Sequence, residues 1–146
     1  MDAPVTTETP TDDTVVARAT VGADPVIVWD DLTDADALLE WFWPARLDPV
    51  IEVTPEVGGG MRVLGQAIEM GFTAVFKEVE PPHRFLASWQ WDGDDAVSAV
   101  EVQLVPTDDG TEVVVTHADN PDADAVRDHA AGWSDCLGRL VARHAG

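Results

Sequence analysis

From Asn120 to the C-terminus, apolar residues recur at Val126, Ala130, Trp133, Leu137 and Leu140. The steps alternate between four and three, which draws one stripe down a helix. Asn120 is expected to cap this helix and Pro121 to take its first position, with Asp122 and Asp124 at the positive end of the dipole. Arg139, Arg143 and His144 suit the negative end. Upstream the period is two. Strands are predicted near 47–53, 60–66, 70–80, 83–92, 96–106 and 111–118, separated by turn signals such as Pro81-Pro82, Asp92 to Asp95 and Asp108-Asp109-Gly110. Short connections imply antiparallel neighbours. A first strand is expected over Thr14–Gly22, followed by two short helices. Asp24-Pro25 opens the first, Thr33 with Asp36 caps the second, and Pro44 ends it.

An amphipathic helix that follows a run of strands must bury its Trp133 face against them, which is an α+β arrangement. Parity assigns Phe85, Ala87, Trp89 and Trp91 to the inner face of their strand, and Val100, Val102 and Leu104 to that of the next. In the last strand His117 joins Thr111, Val113 and Val115 on the inside, although Val114 makes both faces apolar. The periodicity around Glu78 is ambiguous, and the facing of Arg62 and Glu78 stays open.

Residues 1–13 are mostly Thr, Asp, Glu and Pro and read as a disordered acidic tail ahead of one domain over 14–146. At 146 residues with 45% apolar content, the chain has enough length for a substantial core. Its acidic, non-basic start lacks a secretion signal and no run is long enough to span a membrane, so a cytoplasmic location is expected. The single cysteine, Cys136, excludes an internal disulfide and reads as a buried inert thiol.

Charge changes the picture of partners. Eight Lys and Arg stand against 28 Asp and Glu, a net charge of −20. Such a field repels phosphate backbones and anionic lipid, so no nucleic-acid partner and no membrane insertion are expected. It also suits a salty cytoplasm, where screening tames self-repulsion. Gly58-Gly59-Gly60 lacks the lysine of a phosphate loop, the aspartate runs lack calcium-loop spacing, and the four histidines lack metal-ligand spacing. No metal and no cofactor are expected.

The ordered landmarks resemble the START-like (SRPBCC) domains homologous to the activator of heat shock protein 90 ATPase. Val28-Trp29-Asp30, Trp41-Phe42 and Gly59-Gly60-Met61 stand in the family's order. Val75, Glu78, Val79, Pro81-Pro82, Arg84, Phe85 and Trp89 follow its central run, then come Gly110-Thr111, His117 and the helix Gly132-Trp133 with Leu137 and Leu140. The resemblance implies a helix-grip fold of the START-like or Bet v-like kind. That fold is a curved antiparallel sheet of about six or seven strands, two short helices after the first, and a long C-terminal helix across it. It also implies a cavity between sheet and helix.

Six Trp and no Tyr mean large aromatic surface with few hydroxyl handles. The expected cavity lining is Trp41, Trp43, Met61, Met70, Phe72, Phe85, Trp89, Trp91, His117, His129, Trp133 and Leu137. Such a wall suits a small hydrophobic molecule, flat or aliphatic, bound by a monomer or weak homodimer without an assembled catalytic site. Two alternatives stand beside this reading. One is a cyclase or hydrolase using His117 with Glu78 or Arg62. The other is a co-chaperone or stress-response interaction domain.

Overall fold

The computed structural model describes residues 4–145. One eight-stranded antiparallel sheet runs in the order β1-β2-β8-β7-β6-β5-β4-β3. Its strands are β1 Val5–Thr11, β2 Thr14–Val21, β3 Pro49–Val53, β4 Gly60–Gly65, β5 Met70–Glu80, β6 Arg84–Trp91, β7 Ser98–Thr107 and β8 Gly110–Ala118. Helices α1 (Pro25–Thr33) and α2 (Ala35–Trp41) follow β2, and α3 (Ala123–Arg143) ends the chain across the sheet. This is the α+β arrangement expected from the alternation and the C-terminal stripe, and the helix-grip fold that the family resemblance implies. Among the described residues no helix is long and apolar enough to cross a membrane.

The strand count corrects one expectation. Within the stretch read as a disordered tail, Val5–Thr11 is a strand paired to β2, Val5 opposite Ala19 and Glu8 opposite Val16. Residues 1–3 of that stretch lie outside the described residues. Only Val5 of this strand is buried, so its sequence carries no alternation to read. Backbone pairing to an existing edge holds it instead.

Two caps also differ from expectation. Asp34, not Thr33, caps α2 by accepting from the Ala37 amide at 3.1 Å, while Thr33 ends α1 and donates to the Trp29 carbonyl. Asp122, not Asn120, caps α3 by accepting from the Ala125 amide at 2.8 Å. Both rivals were capping residue types within two positions, and the backbone chose the later one.

The core lies between the concave face of the sheet and the helices. Val15, Ala17, Ala19 and Val21 of β2 point inward beside Val113 and Val115 of β8, and α3 lays Trp133, Cys136, Leu137 and Leu140 over them. At its far end α3 is tied to α1: the buried carboxylate of Asp31 accepts from Arg143 Nε at 3.1 Å and bonds His144 Nε2 at 2.5 Å.

The β4–β5 pair shows how tightly the sheet closes. Gly71 sits opposite Leu64, and a Cβ there would stand 2.1 Å from the Val63 carbonyl oxygen. That neighbour is backbone and cannot rotate away. Gly71→Ala is expected to cost about 1–3 kcal/mol by overpacking, measurable as a fall in the denaturation midpoint with an unchanged m-value.

Candidate functional site

A cleft of about 650 Å³ opens between the first turns of α3, the β6–β7 turn and the segment after α2. Its walls carry four indoles, those of Trp43, Trp89, Trp91 and Trp133, with Phe42 and Met70. Each is placed by local structure. Trp89 and Trp91 share the inner parity of β6, and Trp133 sits on the buried stripe of α3. Phe42 and Trp43 follow the C-terminus of α2, where Arg139 donates to the carbonyls of Trp41 at 2.8 Å and Phe42 at 2.7 Å. A cation satisfying the last carbonyls of a helix fixes how the chain leaves it. Cys136 adds a bond from its thiol to the Phe42 carbonyl, and burial pushes that thiol's pKa up to about 12.

Six of the twelve expected lining residues meet in this cleft: Trp43, Met70, Trp89, Trp91, His129 and Trp133. Met61 and Phe85, with Trp89 and Trp133, border a second, internal hollow of only about 30 Å³. Trp41, Phe72, His117 and Leu137 border neither and are wholly buried in the core. The volume expected beneath the middle of the helix is filled. Phe72 stacks on Trp89 at a centroid distance of 3.6 Å, and Trp133 packs against Phe42 and Trp89. The large opening lies toward the start of α3 instead.

Behind the cleft a polar network threads the aromatic wall. His117 Nδ1 accepts from Trp133 Nε1 at 3.0 Å, so in the neutral ring the proton sits on Nε2, 2.7 Å from Ser98 Oγ. Ser98 in turn donates to the Trp89 carbonyl. His129 has the opposite tautomer. Its Nε2 accepts from Trp91 Nε1 at 2.9 Å, and its Nδ1 donates to Asn120 Oδ1 at 2.5 Å. Asn120 Nδ2 then donates to the carbonyls of His117 and Asp13. The two imidazoles stack at 4.0 Å. Burial, and secondarily the neighbouring His129, lowers the pKa of His117 to about 3, and burial lowers that of His129 too.

Asn120 and Ser98 are the functional neighbours that pattern reading missed. Asn120 looked like a cap and instead joins the two histidines. Nothing in its sequence context distinguishes the two uses.

Arg62 and Glu78 face away from this network. Arg62 makes a bidentate pair with Asp92 at 2.6 and 2.9 Å, and Glu78 pairs with Arg84 at 3.1 Å on the outer side. A register shift between Phe76 and Glu78 explains why parity failed there: a bulge moves one residue out of phase. His117 therefore has neither as a catalytic partner, and both its ring nitrogens are committed.

Trp89 alone among the cleft indoles has a buried N–H without a partner among the described residues. The residue as a whole is 7% exposed. Among those residues, no group of three His, Cys, Asp or Glu side chains is arranged to hold a metal ion.

Fold and cleft together define a START-like domain. The chain belongs to the Activator of Hsp90 ATPase homolog 1-like protein family, whose model matches residues 23–145. No curated protein sequence matches it. Among solved structures it is similar to a protein from Rhodobacter sphaeroides, with 24% identity and a TM-score of 0.79 over 95% of this chain and 96% of that one. DynU16, a putative protein in the dynemicin biosynthetic locus, shares 26% identity and a TM-score of 0.78 over 90% of this chain and 47% of its own. An HSP90 activator from Plasmodium falciparum has 19% identity and a TM-score of 0.71 over 90% and 95%.

Proposed function

We propose that the protein binds a small hydrophobic molecule in the cleft beside the start of α3, without transforming it. The single observation that carries this reading is the 650 Å³ opening walled by four indoles. Pockets of some 300–1,000 Å³ lined by aromatic side chains with a few polar atoms are the usual form of a small-molecule site. Trp91 and Trp133 turn their N–H groups to histidines, so the rings meet an occupant chiefly as apolar surface. Binding is favoured over catalysis because the imidazole in the wall, His129, spends both nitrogens on Trp91 and Asn120. A general base needs a free lone pair within reach of its substrate.

Gly132 supplies the test. It lines the cleft in the interior of α3, and a Cβ there would meet nothing within 4 Å. Glycine in a helix interior costs about 0.8–1.0 kcal/mol relative to alanine. Gly132→Leu is therefore expected to stabilise the fold while filling the cleft. By calorimetry, wild type should bind 2-naphthylmethanol, and the variant should bind it at least tenfold more weakly despite a higher melting temperature. Equal affinity in both proteins would refute the cleft as a binding site.

A further inference from the structure

The cleft is aromatic within and anionic at its rim, and we infer that its ligand is a hydrophobic cation: an apolar body bearing a protonated amine or quaternary ammonium. This rests on the binding function proposed above and specifies the charge of what is bound.

The rim carries Asp92 and Asp94 from the β6–β7 turn and Asp122, Asp124 and Asp128 from the start of α3. The lining includes no Lys or Arg. Two guanidiniums outside it offset part of this charge. Arg62 pairs with Asp92, and Arg127 pairs with Asp124 at 3.1 Å and reaches Asp128 at 3.8 Å. Five carboxylates against two guanidiniums leave a local charge of about −3. Asp94 and Asp122 have backbone partners only, the amides of Ala96 and Ala125. Among the described residues neither carboxylate has a counter-ion.

One opposing effect has to be weighed. The first turn of α3 borders the cleft, and a helix N-terminus favours anions through roughly half a positive charge. Here Asp122 caps that turn with a full negative charge, which already outweighs the dipole's half charge, while Asp124 in the same turn is offset by Arg127. An anionic ligand would meet repulsion with no basic side chain to receive it. A cation would gain Coulomb attraction at the rim and cation–π attraction from the indoles within.

The test uses three naphthyl compounds of one shape: (2-naphthylmethyl)trimethylammonium, neutral 2-naphthylmethanol and 2-naphthylmethanesulfonate. Calorimetry at low ionic strength is expected to give the cation about tenfold tighter binding than the alcohol, with the sulfonate weakest. The preference should shrink in 0.5 M salt as screening shortens to a few ångströms. Asp94→Asn with Asp122→Asn keeps both backbone acceptors, since asparagine also caps helices. That double variant should bring the cation-to-alcohol ratio down to about threefold or less. Asp108→Asn with Asp109→Asn makes the same charge change at the opposite end of β7, ~30 Å away at ~3.3 Å per residue, and should leave the ratio unchanged. If the alcohol binds as well as the cation, the charge assignment is wrong and the cleft survives as a neutral site. If the remote pair lowers the ratio equally, the preference belongs to the whole acidic surface and not to the rim. If none of the three binds, the binding function itself falls.

Discussion

Trp133→Ala will lower the unfolding free energy by about 3–5 kcal/mol, the range for removing a buried tryptophan from a packed core. The ring stands at a junction. It packs against Phe42 and Trp89, donates to His117, and forms part of the wall of both the cleft and the small internal hollow. Truncation therefore joins the two spaces into one. Trp133→Phe separates the contributions, because it keeps an aromatic ring and removes the N–H. The His117 Nδ1 acceptor would then be buried without a donor, at a cost of about 1–3 kcal/mol. Denaturant unfolding of the two variants reads both quantities. A phenylalanine variant as stable as wild type would mean that the Trp133–His117 bond contributes nothing.

Acid should unfold this protein through its histidines before its carboxylates titrate fully. In the unfolded chain a histidine has a pKa near 6.5, and in the fold that of His117 falls to about 3. The unfolded state therefore takes up the proton first. The stability from a neutral His117 is complete above pH 6.5 and is lost as pH falls from there toward 3, by up to ~1.4 kcal/mol per pH unit. His129, also lowered, adds in the same direction. Burial is the main cause, the neighbouring His129 the second, and the geometry is consistent with both: a protonated His117 would turn an N–H on Nδ1 against the N–H of Trp133. At pH 5, wild type should take up about one more proton on unfolding than His117→Gln, and the His117 ring resonances should stay unshifted above pH 4.5. A folded protein whose His117 titrates near 6.5 would contradict the assigned tautomer.

Much of the frame could be read from residue order because burial imposes a period. Strands β4, β6 and β7 and helix α3 alternate or repeat cleanly. Strand β5 loses phase at its bulge and β8 is apolar on both faces at Val114, yet the structure places all of them within a few residues of expectation. Strand β1 could not be read. Its residues are Thr, Glu and Pro around one buried valine, and its pairing is a property of the backbone and not of side-chain pattern. Phe72 and Trp89 illustrate the limit for the site. Both face inward as parity demands, yet parity does not say that they stack on each other and fill the space beneath the helix. Whether inward aromatics enclose a void or abolish it depends on rotamers and sheet curvature, which have no signature in spacing. The same holds for Asn120, whose partners lie in three different segments of the chain.

Helix α3 behaves as a cantilever. Its last turn is clamped by the Asp31 carboxylate to Arg143 and His144, and Leu137 and Leu140 anchor the turns just before. No residue of α3 before Trp133 is fully buried, and the second turn is held chiefly by the bonds of His129 to Trp91 and Asn120. Segments with few buried contacts open at the least free-energy cost. Bending is thus concentrated in the first turn, ahead of His129, and that turn borders the indole-lined mouth.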